Sequence, residues 1–151
     1  MRRSRGFSLI ELLIVVAIML VLAALAVPVL SRARIAANEA SAVSTLRSIT
    51  TSQIAYKISF GKYPASLENL GPSSAPDEAH ADLLPPEIAN APNQHNGYRY
   101  SATGTTNQFT ADAVPLQPGI SGNRSFCANT PAELYFAYLG AVCTPGVNLL
   151  R

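Results

Sequence analysis

The chain has 151 residues, 48% hydrophobic and only 13% charged, enough for one modest globular domain and too few for a multidomain enzyme. The formal net charge is +2, but Arg2, Arg3 and Arg5 supply three of the eleven basic residues. Without them eight basic residues face nine acidic ones, so the body has no basic excess to drive nucleic-acid binding.

Gly6 and Pro28 are the only glycine and proline before Gly61, whereas eight glycines and ten prolines crowd residues 61–151. The first part is therefore built to be helical and the second from turns. From Leu12 to Leu30 every residue is apolar, a run that rises about 28 Å as a helix and matches a bilayer core of about 30 Å. Arg2, Arg3 and Arg5 before it outweigh Arg32 and Arg34 after it, which places the amino terminus in the cytoplasm and the remainder outside. A secretory signal is the rival reading: Ala24-Leu25-Ala26 fits a cleavage site that would release a soluble binding domain after Ala26. Glu11 inside the apolar segment and a helical pattern continuing past the cut count against it.

Arg5-Gly6-Phe7-Ser8-Leu9-Ile10-Glu11-Leu12-Leu13 resembles the class III signal of type IV pilins and type II secretion pseudopilins. The resemblance implies that a prepilin peptidase cuts between Gly6 and Phe7 and that Phe7 becomes N-methylated. The new α-amino group would be largely protonated at neutral pH, four residues before Glu11. It can meet Glu11 within one chain or, as the family implies, the Glu11 of a neighbouring subunit. By itself Glu11 also reads as an interfacial carboxylate favoured by the dipole at a helix start. Pro28 lacks a donor for the Ala24 carbonyl, so a kink or local opening is expected, and the resemblance implies partial unwinding there in assembled filaments.

Beyond the apolar run, Ile35, Glu39, Ala42, Leu46, Ile49, Gln53, Tyr56 and Phe60 recur at helical spacing, with Val43 and Ile54 widening the stripe. Ser, Thr, Arg47 and Lys57 are assigned to the opposite surface, and Gly61 to the helix stop. A stem from Phe7 to Phe60 would be roughly 80 Å long. Its first half is expected to protrude and be covered by lipid or other subunits, while the second packs on a sheet. The expected organisation is a leader at 1–6, an assembly helix at 7–30, an amphipathic half-helix at 31–60 and a head at 61–151.

In the head, Tyr63-Pro64 opens a turn, and Leu67 and Leu70 fall on one side of a short helical segment. Five prolines make residues 72–96 a loop with room for one brief helix. Tyr98, Tyr100 and Ala102, then Phe109, Ala111 and Ala113, alternate with more polar residues around a Thr103-Gly104 turn and predict a hairpin. Further strands are expected from Arg124 and over Leu134 to Val142, giving an α+β fold with three to four antiparallel strands on the stem.

Cys127 and Cys143 are the only cysteines, and both fall in the part assigned to the exterior, so a disulfide is expected. The loop so closed would contribute about 3 kcal/mol in the chain-entropy picture; the resemblance implies a carboxy-terminal loop of the pilin kind. Asp77-Glu78-Ala79-His80 spells a helicase signature, but no phosphate-binding loop or preceding apolar strand accompanies it, and the four residues are expected in solvent. His80 and His95 have no partners at metal-ligand spacing, and Asn123-Arg124-Ser125 is a weak sequon that also reads as a turn. No enzyme activity, cofactor or metal is expected.

The reading is a structural subunit of a type IV pilus-like filament. It implies a homo-polymer, a prepilin peptidase and an inner-membrane assembly platform as partners. The precursor would be a single-pass inner-membrane protein and the product an extracellular pilus. The alternative within the family is a type II secretion pseudopilin in a periplasmic pseudopilus. The cysteine pair, and Glu133 as the lone acid in the last thirty or so residues where some pseudopilins hold calcium, favour the pilus.

Overall fold

A computed structural model of the chain describes residues 7–138 and 149–150. Two compact units divide between Arg34 and Ile35. Helix α1, Leu9–Phe60, is 52 residues long and contributes to both. Gly61, the expected stop, donates its N–H to the Lys57 carbonyl at 2.8 Å.

Within the second unit α1 buries Glu39, Ala42, Leu46, Ile49, Gln53 and Tyr56, as the spacing predicts. The width of that face differs from expectation. Ile54 is exposed, while Thr45, Thr50 and Ser52 are buried instead of facing solvent. The segment after the helix covers the flank that carries Ser52 and Tyr56: Ser52 Oγ donates to the Leu83 carbonyl at 3.1 Å and Tyr56 Oη to the Glu78 carbonyl at 2.6 Å. Thr50 meets its own need by donating to the Leu46 carbonyl one turn back, at 2.8 Å.

A 3-10 turn at Leu67–Leu70 buries both leucines, and α2, Pro86–Ala89, is the brief helix expected within the loop. Asn69 Oδ1 accepts the Ser66 N–H at 3.1 Å and holds the start of the 3-10 turn. Asn93 Nδ2 closes the end of α2 by donating to the carbonyls of Ile88 and Ala89, at 2.8 and 2.9 Å.

The sheet contains β1 Gln94–His95, β2 Tyr98–Gly104, β3 Phe109–Pro115, β4 Arg124–Asn129 and β5 Glu133–Tyr138, in the order β1-β2-β3-β4-β5 with every neighbour antiparallel. Four strands were expected at most; β1 is the addition. It exists because Asn96 and Gly97 both adopt positive φ, 46° and 78°, and close a two-residue turn that pairs His95 with Tyr98. The Thr103-Gly104 turn is also corrected, since both residues pair in the ladder and the connection is Thr105–Gln108. Gly104 stays in the strand because the chain leaving α1 crosses it closely: a Cβ there would lie 2.5 Å from the Pro64 carbonyl oxygen.

The alternation is as the sequence predicts. Tyr98, Tyr100, Ala102, Phe109, Ala111, Ala113, Phe126 and Ala128 form one core with Ala42, Leu46, Ile49 and Tyr56 of α1. Small alanines in adjacent strands leave room for the helix and for the large Tyr98, Tyr100 and Phe126 rings. The other face of β4 and β5 is buried too, at Ser125, Cys127, Tyr135 and Ala137. The expected continuation of the last strand to Val142 lies outside the described residues.

Candidate functional site

The candidate site is the amino-terminal segment, and its geometry begins with Ser8. The Ser8 carbonyl accepts the Leu12 N–H at 3.2 Å and closes the first turn of α1. Glu11 Oε2 accepts the Ser8 N–H at 3.4 Å. Ser8-Leu9-Ile10-Glu11 thus has the spacing of a capping box, with the carboxylate satisfying a donor that the helix itself leaves free. The S-x-x-E spacing is the sequence signal for this cap, a local role for Glu11 beyond the helix dipole and the amine. Phe7, one residue before the cap, is 77% exposed. Gly6 lies outside the described residues.

From Phe7 to Leu30, seventeen large apolar side chains are exposed, in a helix long and apolar enough to cross a membrane. Soluble monomers rarely expose contiguous apolar surface beyond a few hundred Å². Each such side chain gains about 1.5–3 kcal/mol when fully buried, so this segment demands lipid or other chains. Ala17, Ile18, Val21 and Leu22 line a shallow apolar depression of about 250 Å³ on its surface. α1 is continuous through Pro28 in this single chain, although Pro28 offers no donor to the Ala24 carbonyl.

A second polar cluster, at the head, was missed as a unit because Glu39 read only as one member of the helical stripe. Glu39 is 6% exposed. Its Oε1 accepts the Asn123 N–H at 2.8 Å, and its Oε2 accepts Arg124 Nε at 2.8 Å and Nη2 at 2.7 Å. The Arg124 guanidinium lies 5.5 and 5.6 Å from the ring centres of Phe126 and Phe136. Tyr98 Oη donates to the Arg124 carbonyl at 2.7 Å, and burial, with Glu39 adding to it, pushes the Tyr98 phenol well above its ordinary range. No local pattern announces this cluster, whose members come from α1, β2 and the start of β4.

Cys127 is 2% exposed and disulfide-bonded, while Cys143 lies outside the described residues. Asp77, Glu78 and Ala79 are exposed and His80 half-buried; the Asp77 carboxylate caps a turn by accepting the N–H groups of Ala79 and His80 at 2.9 and 2.8 Å. Glu78 pairs with Lys62, and that hydrogen bond raises the lysine's pKa. His95 Nε2 lies 3.0 Å from Asn96 Nδ2. In the sequon Asn123 is exposed and Ser125 buried. Among the described residues no group of three or more His, Cys, Asp or Glu side chains is placed to hold a metal.

Comparison with known proteins gives the segment its context. Residues 1–27 match the family described as the prokaryotic N-terminal methylation motif. The chain is 42% identical over 79 residues to the type IV wide pilus major component PilA4 of Thermus thermophilus, covering 50% of this chain and 60% of that one. It is 34% identical over 97 residues to the type II secretion system core protein G of Dickeya chrysanthemi, covering 64% of this chain and 59% of that one. A core protein G of Pectobacterium carotovorum is 37% identical over 68 residues, 45% of this chain and 44% of that one. The matched region therefore spans three-fifths or less of these relatives' lengths. The chain carries the methylation motif, is homologous to a type IV pilin and to secretion protein G, and has an α+β, pilin-like fold.

Proposed function

We propose that this chain is a structural subunit of a type IV pilus-like filament, processed by prepilin peptidase and polymerised through α1. The observation that carries the reading is the conjunction at one end of the molecule: Phe7, the Glu11 carboxylate in the first turn, and seventeen exposed apolar side chains behind them. A long apolar helix supplies both the anchor of a membrane precursor and the surface of a polymer core. The methylation motif over residues 1–27 supports cleavage between Gly6 and Phe7 and N-methylation of Phe7.

In the precursor, residues 7–30 cross the inner membrane once; the assembly platform then moves the cut chain into the filament. Removal from lipid exposes the Phe7 amine to an apolar bundle, where an unpaired charge is costly, and a neighbour's Glu11 compensates it. Opening at Pro28 belongs to the assembled state in this proposal. The pairing of Cys127 with Cys143 is likewise proposed, as a staple holding the carboxy-terminal loop. The organisation into a leader at 1–6, an assembly helix, an amphipathic half-helix and a head follows the same reading. Nothing in the proposed role requires enzyme chemistry.

The second reading, a type II secretion pseudopilin in a periplasmic pseudopilus, is favoured by the matches to two core proteins G. Electron microscopy of sheared surface filaments, with mass spectrometry of their subunit, tests the proposal. Surface filaments whose subunit starts at N-methylated Phe7 support it. A periplasmic polymer with that same terminus supports the pseudopilin reading, and a mature terminus at Val27 overturns both.

A further inference from the structure

The connection between β3 and β4 combines rigidity with apolar exposure. From Val114 to Gly122 the sequence is Val-Pro-Leu-Gln-Pro-Gly-Ile-Ser-Gly, with neither a charged nor an aromatic side chain. Its backbone is held from within. The Gln117 carbonyl accepts the N–H groups of Ile120 and Ser121 at 3.0 and 2.8 Å, the Gln117 N–H donates to Ser121 Oγ at 3.0 Å, and the Gly119 N–H donates to the Gly122 carbonyl at 2.9 Å. The loop is also tied down from outside: the Leu116 N–H donates to the Gly97 carbonyl at 2.9 Å, and Asn38 Nδ2 of α1 donates to the Ser121 carbonyl at 2.9 Å. Pro115 and Pro118 restrict it further. Yet Val114, Leu116 and Ile120 are 50%, 39% and 69% exposed.

A loop fixed by its own hydrogen bonds and presenting an isoleucine outward loses little conformational freedom on docking, which is the property of an interface anchor. Resting on the filament reading, we infer that Leu116 and Ile120 form a knob that docks on the apolar segment, residues 7–30, of a second copy of this chain. Three observations select that occupant. Among the described residues most of the exposed large apolar side chains lie within 7–30, and a homo-polymer brings that segment to other copies. The knob is bonded to α1 at Asn38 and lies next to Asn123, which Glu39 holds, so it flanks the helix and is remote in the sheet from the Thr105–Gln108 end. A loop adapted to a bilayer surface carries Trp, Tyr, Lys or Arg at the headgroups, and residues 114–122 have none.

The test places a photoreactive phenylalanine derivative at position 120 of the full-length chain, in cells that assemble filaments, and maps the crosslinks by mass spectrometry. The expected product is a dimer joining position 120 to a peptide within residues 7–30 of another copy. Crosslinks to lipid, crosslinks only to head residues, or filaments without crosslinked dimer overturn the inference while leaving the filament reading intact. Failure of the unsubstituted chain to form any polymer overturns the filament reading, and this inference with it. In parallel, Ile120→Asp should reduce sheared filament yield at least tenfold with an unchanged unfolding temperature, and Ile120→Val should assemble normally. A normal yield from Ile120→Asp overturns the inference.

Discussion

Glu39 and Arg124 are 85 residues apart in sequence, yet one oxygen of the carboxylate accepts two guanidinium hydrogen bonds, at 2.8 and 2.7 Å. The other oxygen holds the Asn123 N–H, so this single side chain fixes α1 to the start of β4. Glu39→Ala leaves a backbone donor and a partly covered cation without a partner. Arg124 retains contact with water, its side chain being 36% exposed, so the loss should be about 2–3 kcal/mol, near the low end for breaking a buried pair. Glu39→Gln keeps an acceptor for Asn123 and should lose roughly half as much. Urea midpoints of the detergent-solubilised full chain measure both; equal midpoints for Glu39→Ala and the parent would remove the cluster from any structural role.

Gln53 presents the opposite situation. It is fully buried on the stripe of α1, and neither Oε1 nor Nε2 meets a hydrogen-bonding partner among the described residues. An unsatisfied buried amide costs about 1–3 kcal/mol, so Gln53→Leu, similar in size and apolar, should raise the unfolding temperature by several degrees. A lowered unfolding temperature would show that the amide is satisfied in solution.

The contrast between these two residues shows what the sequence could reveal. Both sat in the same helical stripe by periodicity, and periodicity predicts burial, which both have. It says nothing of partners, because Glu39's lie on β4 and at the residue before it, far along the chain. The strands at Tyr98 and Phe109 were legible because alternation is a local property; β1 was hidden by its two-residue length, though Asn96-Gly97 was a usable turn signal. The burial of Thr45, Thr50 and Ser52 was illegible for a different reason. For Ser52 it depends on where the proline-rich segment lies, and the hydroxyls of Thr50 and Ser52 suit a buried site because each finds a carbonyl. At the amino terminus the motif itself was visible residue by residue, since its chemistry is confined to adjacent positions.

Asp112 gives a pH prediction. It sits on β3 opposite Cys127 of β4 and Ser101 of β2, and burial raises its pKa above the ordinary 3.8. An acid whose pKa is raised by folding binds its proton more tightly in the folded chain, so its contribution to stability grows as pH falls through the raised value and is complete below the unfolded one. Above the raised value the charged form carries the full desolvation penalty. Asp112→Asn should therefore be more stable than the parent at neutral pH, and the difference should shrink on acidification toward pH ~4. Unfolding midpoints of the two chains across that window check it; a difference independent of pH would exclude Asp112 as the titrating group.

At the amino terminus, the capping geometry separates two roles for Glu11. Its carboxylate holds the Ser8 N–H in the single chain, a task that glutamine also performs at the third helical position. Pairing with a neighbour's Phe7 amine, by contrast, needs the negative charge. Glu11→Leu should insert in the membrane and still be cut, because the substitution favours the apolar phase, while losing about 1 kcal/mol of helix-start stability and failing to assemble. Glu11→Gln is the decisive variant. It should insert and be cut with its first turn intact, yet leave the amine unpaired in the stem bundle and lower sheared filament yield at least tenfold, equivalent to more than about 1.4 kcal/mol at each addition. Normal filament yield from Glu11→Gln together with a poor yield from Glu11→Leu would reduce Glu11 to a helix cap. Normal yield from both would leave it no part in assembly. Cell fractionation, with mass spectrometry of the Phe7 terminus, distinguishes a block in cleavage from a block in polymerisation.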